Sequence, residues 1–196
     1  MHVTPRLLCS VVSLALLASS AGAAQHPQTR DGFWIGLGGG WGDAVLSCSP
    51  NCFFDRSAKG GGVTGFVKLG ATVRPDVLLG VELNAWVKDV SGSTQSAGNA
   101  SAAVYYYLTP GGGLFVKAGA GYATYRVESG SAANGFGFIA GAGYDIRIAP
   151  NVSLTPVGNF FFGSDGETTV QTTAGTSATG SVKHSVFELG LGITFH

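Results

Sequence analysis

From Phe187 onward the chain alternates in polarity at each step. Phe187, Leu189, Leu191, Ile193 and Phe195 share one parity, and His184, Glu188, Gly190, Gly192 and Thr194 share the other. A period of two puts successive side chains on opposite faces of a β-strand. Here one face is wholly apolar and the other small or polar. The pattern recurs in seven upstream runs, at 33–42, 63–73, 77–88, 101–109, 114–125, 136–148 and 152–162. Each is near the ten-residue length of a strand that crosses a bilayer. Pro156 interrupts the seventh run, and a proline inside a closed sheet predicts a bulge there.

Two further observations decide which solvent the apolar face meets. Only 11% of residues are charged, against roughly 25% in ordinary soluble domains. The charges that do fall within the runs have inward parity: Lys68, Glu82, Lys88, Lys117, Asp145, Arg147 and Glu188, with His184 beside them. A lysine or arginine facing lipid at the bilayer midplane costs roughly 2–4 kcal/mol, so several such charges must face the interior. No segment after the N-terminal leader reaches 18 consecutive apolar residues, which excludes a spanning helix. A closed barrel is then the membrane option, because it satisfies every backbone group within itself. The net charge of zero carries no basic excess that would point to nucleic acid.

The connections support the same reading. Short turns fall at Arg74-Pro75-Asp76, Pro110–Gly113 and Ala149-Pro150-Asn151, and longer polar segments at 43–60, 89–100, 128–135 and 163–183. Short periplasmic turns alternating with long extracellular loops characterise outer-membrane barrels. Tyr122, Trp41, Phe136 and Phe162 fall towards one rim, and Tyr144, Phe33, Tyr106 and Phe195 towards the other, as interfacial girdles require. At the N-terminus, Arg6, an apolar run from Leu7 to Ala18 and Ala21-Gly22-Ala23 have the order of a cleaved signal peptide. The expected organisation is a signal peptide over 1–24 and one all-β, eight-stranded antiparallel up-and-down transmembrane barrel over 25–196.

The strand count, the loop asymmetry, the Ala-Gly-Ala-Gly-Tyr runs at 118–122 and 140–144, and the closing Gly-Leu-Gly-Ile-Thr-Phe resemble the small eight-stranded outer-membrane barrels, the OmpA/OmpX-like β-barrel domain family. The resemblance covers essentially the whole chain after the leader. It implies residence in the lipid of the outer membrane of a Gram-negative type envelope. It also implies recognition of the C-terminal strand by the barrel-assembly machinery. Members usually end in an aromatic residue, whereas here Phe195 is penultimate and His196 last.

Eight strands enclose an interior just wide enough for side chains to fill. Glu82, Asp145 and Glu188 are therefore expected to pair with Lys68, Lys117 and Arg147 as a structural plug. Cys48 and Cys52 flank Ser49-Pro50-Asn51. In an exported chain that spacing favours a local disulfide, and no histidine stands near them in sequence to complete a metal site. Phe53 and Phe54 beside the pair are the candidate loop contacts for an external surface or ligand. Some small outer-membrane barrels modify lipid A, but His184 and Ser185 are adjacent and so point to opposite faces of a strand, where the histidine cannot activate the hydroxyl. The glycine clusters do not precede a helix and are no phosphate loop. The expectation is a non-enzymatic envelope-structural or adhesin-like barrel without cofactor or metal. A narrow channel for small or hydrophobic solutes is the alternative, and a lipid A-modifying enzyme a weaker one.

Overall fold

The computed structural model describes residues 30–50, 57–90, 92–128, 131–171 and 177–196. The leader and Cys52, Phe53 and Phe54 lie outside these residues. Nine strands follow in order: β1 (Phe33–Pro50), β2 (Ser57–Arg74), β3 (Val77–Val90), β4 (Ser93–Tyr107), β5 (Leu114–Val127), β6 (Ser131–Tyr144), β7 (Ile146–Ala149), β8 (Val152–Gln171) and β9 (Ser177–Phe195). All pairings are antiparallel and join sequence neighbours, except that β6 also pairs with β8 past β7 and β1 pairs with β9 to close the ring. β6 and β7 pair with β8 in one continuous register, Gly143 opposite Val157 and Ile146 opposite Leu154. They are one stave of an eight-staved barrel.

The strands are staggered. Starting from Gly190, the partners through β1 to β5 are Gly40, Thr64, Trp86, Ala97 and Tyr125. In the other direction they are Val157, Gly143 and Phe115. The two routes meet on β5 ten residues apart, so the strands tilt steeply, in the range of about 35–45° usual for closed barrels.

The interruption beside Pro156 differs from the expected bulge. Pro156 stays in register with Leu191 of β9, and the shift in the β8–β9 ladder falls instead between Ser164 and Glu167. The break lies on the neighbouring stave, where Tyr144 and Asp145 lack ladder partners on β8. Proline has no N–H to donate, and a missing donor on that side leaves a gap in the ladder without adding a residue.

The three short turns sit as expected. The long segments do not: most of 43–60, 89–100, 128–135 and 163–183 is strand. The reason lies in the face each side chain meets. Between Phe33 and Trp41 the outward residues of β1 are apolar, but beyond Trp41 the outward Asp43 is exposed while Ala44, Leu46 and Cys48 are buried inside. On β9, Lys183 is exposed outward and Val182 and Val186 are buried inward. The wall leaves the lipid belt and continues with its polarity inverted. Among the described residues 29 large hydrophobic side chains are exposed, nearly all of them on the outer face, a surface that water would not tolerate. Tyr122 lies opposite Phe136 at the upper rim, and Tyr106 opposite Val77 at the lower.

The lumen as candidate functional site

Inward parity converts directly into burial. Lys68, Glu82, Lys117, Asp145, Arg147, His184 and Glu188 are all 7% exposed or less. Lys88 is half-buried at the upper end, its ammonium where a Cβ on Gly60 would fall. The lumen is filled at three levels.

At the lower level Asp145 accepts hydrogen bonds from the Tyr107 hydroxyl at 2.6 Å and the Thr155 hydroxyl at 2.7 Å. His196 Nε2 stands 3.4 Å from the same carboxylate. The guanidinium of Arg30 lies 3.4 Å over the Tyr107 ring and donates to the Gly112 carbonyl. Arg147 donates to the Pro150 carbonyl at 3.3 Å.

At the middle level Glu82 is the hub. Lys117 and the Tyr105 hydroxyl both donate to its carboxylate, and all three groups are buried. Lys68 stands between these two levels, 5.2–5.9 Å from the rings of Phe115, Tyr105 and Trp34. Aromatic faces stabilise a desolvated ammonium. Above Glu82, Asn159 donates to Glu188 at 3.2 Å. Among the described residues, both amide atoms of Asn84, Ser101 Oγ and the side-chain oxygen of Asn159 have no protein hydrogen-bond partner.

The upper level is a separate cluster. The Trp86 indole donates to the Gly42 carbonyl at 3.0 Å. Above it, His184 Nδ1 lies 2.7 Å from Asp165 Oδ2 and Nε2 lies 2.9 Å from Asn99 Oδ1. A bulge aims Asp165 inward: the ladder shifts between Ser164 and Glu167, and Gly166 has φ +71°, the left-handed conformation such a bulge requires.

The expected pairing is thus corrected in part. Lys117 and Glu82 form an ion pair, but Asp145 faces His196, Tyr107 and Thr155. Among the described residues no cation lies within ion-pair distance of Glu188. The reason is spacing: Glu188 sits beside Asn159 and Gly42 in register, and neither offers a charge. The side chains of the lumen are packed, with Trp86, Tyr105, Phe115 and Phe161 at 1% exposure or less. His184 has no hydroxyl at either ring nitrogen, and Ser185 faces the opposite side of the strand.

No protein-family profile and no curated protein sequence matches the chain. Solved structures do. Neisserial surface protein A aligns with 85% of this chain and 97% of its own, at TM-score 0.51 and 18% identity. The outer-membrane protein OprG of Pseudomonas aeruginosa aligns with 87% of this chain and 99% of its own, at 0.53 and 13%. Ail, the attachment invasion locus protein of Yersinia pestis, in complex with the heparin analogue sucrose octasulfate, aligns with 84% and 99%, at 0.51 and 11%. The fold is that of a small outer-membrane β-barrel. At these identities the likeness extends to the fold and no further.

Sequence reasoning missed Asp165, Asn99, Arg30 and Asn159. Asp165 and Asn99 lay in segments read as loops. The Asp-Gly step at 165–166 was the one signal for a bulge. Asn159 carried the inward parity of Ser153 and Thr155, hidden by the weight given to Pro156.

Proposed function

We propose that the protein is an exported, non-enzymatic outer-membrane barrel whose upper end presents a surface to the outside, for envelope integrity or adhesion. The observation that carries this reading is the packed lumen beneath a wall that continues past the lipid belt. A plugged barrel offers no wide path for solutes, while a water-facing rim offers a platform for the connections at 51–56 and 172–176. That Ail was solved with a heparin analogue agrees with a surface role in a barrel of this shape. Export by the 1–24 leader, delivery of β9 to the barrel-assembly machinery and a Cys48–Cys52 bridge stiffening the Phe53–Phe54 tip belong to the same proposal.

The test is a gain-of-adhesion assay in a non-adherent Gram-negative host expressing the full chain, with binding to extracellular-matrix and glycosaminoglycan coats as the readout. Replacing 51–56 by a Gly-Ser linker should abolish binding while the barrel still shows heat-modifiable gel mobility. Adhesion no different from the empty host, on every coat, would overturn the adhesive reading. One feature favours the alternative of hydrophobic solute passage: the apolar upper lining of Ala44, Leu46, Val182 and Val186. Planar-bilayer conductance and uptake of a fluorescent alkane by cells would report it.

A further inference from the structure

We infer that His184, Asp165 and Asn99 form a proton-operated closure of the upper lumen. The argument begins with Asn99. Its Nδ2 donates to the Phe162 carbonyl at 2.8 Å and lies 3.4 Å from the Phe138 carbonyl. Backbone carbonyls only accept, so the amide is oriented with Oδ1 towards His184. Oδ1 also only accepts, which makes Nε2 the donor. On the other side Asp165 Oδ2 faces Nδ1 at 2.7 Å. Either both ring nitrogens carry protons beside an ionised carboxylate, or a neutral ring faces a protonated one. The proton count is the same in both: one more than a neutral imidazole beside a carboxylate.

Losing that proton sets a lone pair against an acceptor at one of the two contacts. The cluster has little room to answer. His184, Asp165 and Asn99 are 0–3% exposed, and Phe161 meets the ring edge-on at 6.1 Å. A Cβ on Gly163 would fall 2.3 Å from His184 Cε1, and one on Gly137 would fall 2.3 Å from Asn99 Nδ2. Turning the amide over would remove Nδ2 from the Phe162 carbonyl. The ring must therefore leave its slot, and the closure loosens as pH rises.

The neighbouring charges do not replace this contact. From β8 the facing group is Asp165 itself, and from β5 it is Tyr125, close enough to feel the Asp165 charge. Lys88 of β3 lies against Gly60. β1 contributes Ala44 and Leu46, and β6 contributes Gly135 and Gly137. On β9 itself Glu188 is engaged by Asn159.

The experiment is amide hydrogen exchange of the refolded full chain in lipid nanodiscs from pH 5 to pH 9, with ¹⁵N spectra of the histidine rings. Protection factors of Leu46, Gly163 and Val186 should fall by about tenfold across the range, the scale of one buried hydrogen bond lost. His184→Phe should remove that dependence. Asn99→Leu keeps the imidazole but deletes the acceptor at Nε2, and should weaken the dependence without abolishing it. Protection that varies equally with pH in the native chain and in His184→Phe would overturn the closure. So would a ring spectrum showing one bare nitrogen while the upper strands remain protected.

Discussion

Glu82 and Glu188 are carboxylates at 0% exposure on the same lumen wall, and their substitutions should differ. Glu82→Gln leaves the Lys117 ammonium uncompensated, a loss of about 3–5 kcal/mol for a broken buried pair. Glu188→Gln keeps the volume and the Asn159 contact while removing a charge that has no ion-pair partner among the described residues, so its melting temperature should hold or rise. Heat-modifiability on gels and thermal circular dichroism would separate the two; equal losses would mean that Glu188 is compensated after all. Gly163→Ala tests the upper slot. Its Cβ would meet His184 at 2.3 Å, an overpacking that costs about 1–3 kcal/mol. Gly65→Ala, whose Cβ meets nothing nearer than 3.8 Å, should be nearly silent in the same melt. Parity in the sequence placed these residues on the inner face, because burying or exposing a charge is decided by a single strand. Partners were not legible, since who faces whom across the lumen depends on the ten-residue stagger of the whole ring.

At the level of the strand, alternation located the lipid-crossing parts of all eight staves and failed at their upper ends. There the outer face meets water and the inner face packs on itself, so the hydropathy contrast reverses or fades while the hydrogen-bonded ladder continues. Pro156 is the complementary case. The sequence showed a strand-breaking residue, but its consequence fell on the neighbour: the β8–β9 ladder runs in register through Pro156, and the gap lies beside Tyr144 and Asp145. Pro156→Val restores a donor facing that gap. Backbone amides at 144–146 should then become more protected from exchange, with β6 and β7 behaving as one strand. Unchanged protection would mean that the gap is set by the Asp145 side-chain contacts with Tyr107 and Thr155.

For the barrel as a whole, the outer surface divides sharply into a belt that lipid must cover and a collar that water must cover. A charge placed in each should read the boundary directly. Val67→Lys, on an outward position within the belt, should cost roughly 2–4 kcal/mol in a folding titration from urea into bilayers. Ser47→Lys, outward on β1 above Asp43, should cost close to nothing. Comparable losses at both positions would place the belt elsewhere.

The inversion of polarity along β1 and β9 also fixes how deep the protein rides. Asp43, Arg126 and Lys183, exposed on the outside of the wall, act as draught marks on a hull. A thicker bilayer would draw them under the hydrocarbon surface, and a thinner one would leave Trp41 and Phe136 stranded above it. Folding yield across lipids of increasing chain length should therefore pass through a maximum. Membrane thickness becomes a coordinate to which this chain is tuned, independent of whatever its upper rim meets.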